Sequence, residues 1–356
     1  MVNRIKGLMD ISRQIPVDGI LISSRENRQY FSKFTGSSGF LLFNENNRFI
    51  ITDSRYVEQV KKEVPDFFCE IATSSNMINK IYELIRKLNI KKLGFEGHHI
   101  TYNMYNKMAK TFATTQLISI SDSISQLRSI KNDQEVKSIE MASKITQRAF
   151  NHGIDLIKPG ASERDIAFEI ETYIKKNRGD DIAFKPIIAS GLNGVMPHAP
   201  YTDKAIQTGD LVTIDIGAVF NGYCSDLTRT VVVDKPSSKQ LEIYNIVLEA
   251  QQAAIQAIEP GKKASDIDAV ARNIIEKHGL GKFFGHGLGH GVGLQVHEKP
   301  VLSPNSDDIL REGMIFTIEP GVYIPGFGGI RIEDMILLRT EGVELLTKQP
   351  KHLMVI

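Results

Sequence analysis

Cysteine occurs only twice in the 356 residues, as Cys69 and Cys224. Two such distant thiols make no disulfide framework, and the expectation is a reduced, cytoplasmic protein. Neither sign of charge is in excess: 43 basic and 42 acidic side chains leave a net charge of +1. Both signs are spread along the chain, which argues against a nucleic-acid footprint and against a polybasic membrane patch. No apolar run reaches the length of a membrane span, and Met1-Val-Asn-Arg-Ile-Lys-Gly7 carries no apolar h-region. What remains is a chain too long for one core, so two domains are expected.

Residues 1–122 read as short strands alternating with helices, an α/β domain of modest core. Gly19–Ile22, Gly39–Phe43, Phe49–Thr52, Leu93–Glu96 and Leu117–Ile120 are strand-like. Tyr56–Val64 and Met77–Leu88 carry helical spacing. This part announces no chemistry; Asp53-Ser-Arg-Tyr56 reads as a strand end capping the next helix. Polar residues 123–132 are expected to be a linker, with the second domain running over 133–356. That domain opens on a helix with apolar Val136, Ile139, Ala142 and Ile145, ending before Lys158-Pro159-Gly160.

The second half is organised around Asp210–Thr230, where two apolar, β-branched runs flank Asn221-Gly222, a strong hairpin signal. With those two residues as the loop, Phe220 pairs with Tyr223, Gly217 faces Asp226 and Asp215 faces Thr228. Side chains alternate along a strand, so Asp215 and Asp226 share a face as diagonal neighbours, roughly 7–8 Å apart at the backbone. The opposite face, Val212, Ile214 and Ile216, is apolar and must be buried. The pattern then recurs. Pro159 to Pro260, His198 to His297 and Gly209 to Gly313 are 101, 99 and 104 residues apart. Asp215 matches Glu319, and a second acid follows on each return strand, Asp226 and Glu333. Two hairpins related by a pseudo-twofold axis would each present two carboxylates to one central site.

Four converging carboxylates repel one another unless protons or cations lie between them. Oxygen-rich ligation with an imidazole or two suits Mn2+, Co2+, Zn2+ or Fe2+. The imidazoles are sought in Phe284-Gly-His286-Gly-Leu-Gly-His290-Gly-Val-Gly293. Alternating glycines exclude a helical zincin pair, and the glutamate that should follow the first histidine is missing. The run also lacks the phosphate-loop pattern and reads as extended backbone packed close to a ligand. His286 by itself reads as a hydrogen-bonded structural histidine. Arg331 and Glu333 share a strand face and could form a plain ion pair.

These residues are recognisable. Gly209–Thr230, Gly285–Pro300 ending in Val-His-Glu-Lys-Pro, Ile318-Glu-Pro-Gly321 and Arg331-Ile-Glu-Asp334 closely resemble the creatinase/aminopeptidase ("pita-bread") family. Within it the match is to the Xaa-Pro peptidases, aminopeptidase P and prolidase. The resemblance implies a creatinase-type, ribonuclease H-like α/β N-terminal domain followed by an α+β pita-bread catalytic domain. It further implies two divalent metal ions, Mn2+ first, with Asp226 and Glu333 bridging them. Asp215 would hold one ion, His290 and Glu319 the other. Glu319 matches the general base, His198 and His297 the histidines that touch substrate, and Arg331 the arginine beside the bridging glutamate. A proline-containing peptide as substrate and a homodimer are implied as well. The leading expectation is an Xaa-Pro aminopeptidase, with a dipeptide-restricted prolidase as the near alternative. A creatinase-type amidinohydrolase or a non-catalytic relative would have lost ligand positions, whereas all five are intact. Methionine aminopeptidase is disfavoured by the long N-terminal domain. Relatives commonly follow the first histidine with glycine or an aromatic residue, whereas Ala199-Pro200 follow His198 here.

Overall fold

The structure is a computed structural model that describes residues 2–356. The chain divides into two compact units, one ending at Leu127 and the other comprising Arg128–Ile356.

The first unit is built on a six-stranded mixed sheet. In chain order it comprises α1 (Val2–Gln14), β1 (Gly19–Ile22), α2 (Arg25–Ser32), β2 (Phe40–Phe43), β3 (Arg48–Thr52), α3 (Val57–Glu63) and β4 (Phe68–Ile71), then α4 (Met77–Lys87), β5 (Lys92–Phe95), α5 (Tyr102–Thr111) and β6 (Gln116–Ser119). The strand order is β4-β3-β2-β1-β5-β6. Asp53 caps a short 3-10 turn and pairs with Arg55, the local role its position suggested. The polar stretch read as a linker carries α6 (Ser121–Ser129). Ile124 within it and Ile120 just before it, four residues apart, are both buried and anchor this helix despite its polar composition.

In the second unit a helix pair followed by a run of antiparallel strands occurs twice. The first copy has α7 (Asp133–Ile154) and α8 (Glu163–Lys176), short β7 (Asp181–Ile182), then β8 (Ile187–Ser190), β9 (Leu211–Ile216), β10 (Ala218–Phe220), β11 (Tyr223–Cys224) and β12 (Leu227–Val232). Asn132 and Glu135 form a capping box at the start of α7. The second copy has α9 (Ser238–Gln256), α10 (Ala264–Lys277), β13 (Gly289–Gly291), β14 (Glu298–Leu302), β15 (Ile315–Ile318), β16 (Gly321–Ile324), β17 (Gly328–Arg331), β18 (Asp334–Arg339) and β19 (Gly342–Leu345). In each copy a long ladder is continued by a small hairpin: β9 pairs with β12 and β10 with β11, just as β15 pairs with β18 and β16 with β17.

Each copy has its own apolar core. Ile145, Ile166 and Ile170 from the first helix pair pack with Val212, Ile214, Ile216 and Leu227. Val247, Ala250, Ile267 and Ala271 from the second pack with Phe316, Ile318, Ile336 and Leu338. A helix pair therefore backs one face of each ladder. The other faces are left for polar side chains.

Candidate active site

The first hairpin has the register its sequence demands. Phe220 faces Tyr223 and Asp215 faces Thr228. Asn221 and Gly222 both have positive φ, 53° and 78°, the backbone a type I′ turn requires. Val212, Ile214 and Ile216 are fully buried, so the acids of this hairpin point the other way. In the second copy the ladder ends on the pair Ile318 and Asp334, and Glu319 and Glu333 lie just beyond it. The two ladders meet where the Glu333 amide donates to Thr228 O at 3.1 Å.

All eight residues singled out from the sequence line one cavity of about 550 Å3: His198, Asp215, Asp226, His290, His297, Glu319, Arg331 and Glu333. One carboxylate oxygen each from Asp226 and Glu333 and one ring nitrogen of His290 lie within 4.8 Å of one another, close enough for a single ion. His290 Nε2 is 3.1 Å from Glu319 Oε1 and 3.7 Å from Asp226 Oδ2. Thr317 Oγ1 ties this group together, accepting from the His290 amide and donating to Glu319 Oε1. His297 places its ring edge-to-face against His290, with centroids 4.2 Å apart. His198 stands exposed on the cavity wall, on the loop following a 3-10 turn at Gly191–Val195.

Arg331 is not the partner of Glu333 that shared strand parity suggested. Its Nη2 donates to Asp215 Oδ2 at 2.6 Å, Nη1 to Tyr323 Oη at 2.7 Å and to Pro197 O at 3.0 Å, and Nε to Thr228 Oγ1 at 3.2 Å. Thr228 in turn donates to Glu333 Oε2 at 2.6 Å. The guanidinium thus reaches across to Asp215 of the first copy, while Glu333 is held on one oxygen by Thr228. The same contact ties the His198 loop to the acid floor through Pro197.

Tyr323 is a cavity residue that the sequence reading of the site missed, and His286 was read there only as a hydrogen-bonded structural histidine. Tyr323 follows Glu319 and Gly321 at two-residue steps, a parity that places all three on one face; that was the available signal. His286 hydrogen-bonds Tyr323 Oη through Nε2 at 3.0 Å and lines the cavity, so it is both structural and part of the site wall. The glycines flanking His290 are needed for close approach of backbone. A Cβ on Gly289 would lie 2.0 Å from Thr317 O, and one on Gly291 would lie 2.1 Å from Lys299 O. The glycines admit neighbouring backbone.

The donor set asks for cations. Asp215 Oδ1, Asp226 Oδ1 and Glu333 Oε1 are buried and have no hydrogen-bond partner. Burial pushes the carboxyls of Asp226 and Glu333 well above the usual range, and the neighbouring carboxylates push them further. Burial raises Asp215 too, against the pull of Arg331. Burial also opposes ionisation of Glu319, but the His290 hydrogen bond and charge prevail and hold that carboxyl at about 2. His290 is raised: burial opposes its charge, and Glu319 more than offsets it. His297 is lowered by burial. One guanidinium cannot neutralise four acids, and the orphaned oxygens are hard donors suited to divalent ions. The residues fit such a group.

A repeated α/β unit whose acids converge on one cavity is the architecture of a metal-dependent hydrolase, and comparison with known proteins gives the family. The model of metallopeptidase family M24 matches residues 137–340, and that of the creatinase/prolidase N-terminal domain matches residues 4–130. The Xaa-Pro dipeptidase of Pyrococcus furiosus is 38% identical over 99% of this chain and 100% of its own length. The solved Xaa-Pro dipeptidase from Bacillus anthracis superposes with a TM-score of 0.95 at 40% identity, covering 100% of this chain and 99% of that one. The X-Pro aminopeptidase from Thermotoga maritima gives a TM-score of 0.89 at 37% identity over 98% and 100%. The chain belongs to metallopeptidase family M24 and is a metalloexopeptidase, with the creatinase-type N-terminal domain and pita-bread catalytic domain expected from its sequence. The family implies divalent metal ions. Among the described residues no helix is long and apolar enough to cross a membrane.

Proposed function

We propose that the protein hydrolyses Xaa-Pro dipeptides with two divalent metal ions, Mn2+ first among the candidates. The observation that carries this is the set of three orphaned, buried carboxylate oxygens on Asp215, Asp226 and Glu333, all facing one cavity. Asp215, Asp226, His290, Glu319 and Glu333 would hold the ions, and Asp226, His290 and Glu333 lie close enough together for one of them. When bound, the ions supply a water acidified towards neutrality and a polarised substrate carbonyl.

The chain's own residues supply the rest. Glu319, ionised at neutral pH, can accept a proton from the attacking water and pass it to the proline nitrogen. That step is obligatory, because an Xaa-Pro amide nitrogen carries no hydrogen and leaves as an amine only once protonated. His297, kept neutral by burial, would donate a hydrogen bond to the carbonyl oxygen, assisted by His198, which lines the same cavity. Arg331 orients Asp215 and holds the His198 loop through Pro197.

The sequence alone put the aminopeptidase first. Two of the three similar proteins above are named Xaa-Pro dipeptidase, which shifts the weight to dipeptides. The X-Pro aminopeptidase neighbour keeps longer peptides as the competing reading. The test is metal-depleted protein, resupplied with each ion and assayed on Xaa-Pro and Xaa-Pro-Yaa side by side. Turnover of the dipeptide alone supports the proposal. Preference for the tripeptide replaces it with the aminopeptidase, and no turnover of either removes both.

A further inference from the structure

Away from the acid floor, another buried cluster of charge gathers around Glu298, the residue that follows His297. Its carboxylate is paired with Arg128 and with Lys131, whose Nζ is 2.8 Å from Glu298 Oε1. The side chains of Glu298, Arg128 and Lys131 are 6%, 7% and 1% exposed. Both cations come from the opening residues of the second unit. The same stretch is stitched to the root of β15, the strand that leads to Glu319: the Lys131 amide donates to Gly313 O at 2.8 Å, and Ile130 bridges Met314.

Glu298 also sits at an irregularity. His290 faces Val301, but the next residue, Gly291, faces Glu298, so the register of β13 and β14 shifts between His290 and Gly291. Gly293 leaves room for the carboxylate; a Cβ there would lie 2.1 Å from Glu298 Oε1. A register shift of this kind re-aims side chains beside it. Here the side chains beside it are His290 and His297, brought to a 4.2 Å ring separation. Buried ion clusters are poor sources of stability and are best attested as devices that specify register.

We infer that Glu298, clamped by Arg128 and Lys131, is a positioning residue that fixes this shift and so sets the His297 imidazole against His290. The inference rests on the reading of His297 as a substrate contact.

The test is Glu298→Asp, which keeps the charge and shortens the reach by one methylene. The metal-loaded variant should keep its metal content and its Tm while kcat on an Xaa-Pro dipeptide falls about 10–100-fold, as for other small misplacements, at nearly constant KM. In a His297→Ala background the same change should alter kcat by less than about twofold, because the two residues act as one unit. Lys131→Met, which leaves the Arg128 pair in place, should show the same pattern even if Glu298→Asp folds poorly. A crystal structure of either variant should show the two rings displaced from their 4.2 Å contact. Losses that multiply in the double variant, or that only track the folded fraction, would overturn the inference. If the wild type cleaved no Xaa-Pro substrate, the proposed function would fall by itself, and the ring separation would still decide whether Glu298 positions His297.

Discussion

Replacing Glu333 with glutamine should act in opposite directions on the metal-free and metal-loaded protein. In the metal-free state burial and the charges of Glu319 and Asp215 raise the Glu333 carboxyl well above its ordinary range. A carboxyl raised on folding favours the folded state while it is protonated. That advantage is complete below its unfolded pKa of about 4.3 and is lost as pH rises through the folded value. Glutamine mimics the protonated form at every pH: its oxygen can still accept from Thr228, and its amide presents donors to the acids around it. At neutral pH the metal-free variant should therefore melt above the metal-free wild type, and the two should converge in acid. With metal the order reverses, because glutamine removes a charge from the cradle. An ion present at 100 times its Kd adds about 2.7 kcal/mol. For a unit the size of Arg128–Ile356, each kcal/mol moves Tm by about 2–4 °C, so the wild type gains about 5–11 °C per ion and the variant loses that gain for each ion it fails to hold. Thermal unfolding followed by circular dichroism at about pH 4 and pH 7.5, the unfolded carboxyl pKa being about 4.3, with and without Mn2+, reads all four states, and elemental analysis counts the ions. A metal-free variant less stable than wild type at neutral pH would refute the electrostatic reading. Unchanged metal content with full activity would refute the ligand assignment.

His297→Ala should keep both ions and its Tm while kcat falls about 10²–10³-fold, the usual worth of a donor to a developing oxyanion; a destabilised variant with normal kcat per folded molecule would make the residue structural. Metal uptake should release protons, since Asp226 and Glu333 are raised in the metal-free protein, and apparent affinity should weaken as pH falls; calorimetry in buffers of different ionisation enthalpy measures both, and uptake without proton release would contradict it. Arg331→Lys retains charge but cannot reach Asp215, Tyr323, Pro197 and Thr228 together; kcat should drop by at least about tenfold with the His198 loop more protease-sensitive, and a wild-type rate would show that the fork geometry is dispensable.

Much of this protein was determined locally. The Asn221-Gly222 turn sets the register of the first hairpin, and strict two-residue alternation then dictates that Asp215 turns away from Val212, Ile214 and Ile216. The near-constant offset between copies carried that result to Glu319 and Glu333, and the capping and apolar spacing of α7 placed its helix. Nothing local could decide which groups satisfy one another once these faces meet. Arg331 bonds Asp215, 116 residues away, while Glu333 is held by Thr228, 105 residues away. The glycines around His290 are required by the backbones of Thr317 and Lys299, and the setting of His297 by Arg128 and Lys131 on the far side of the unit's sequence. Periodicity encodes the direction in which a side chain points, because it follows from the geometry of one strand. The partner it finds depends on how two strands cross, and only the packed structure of both copies specifies that.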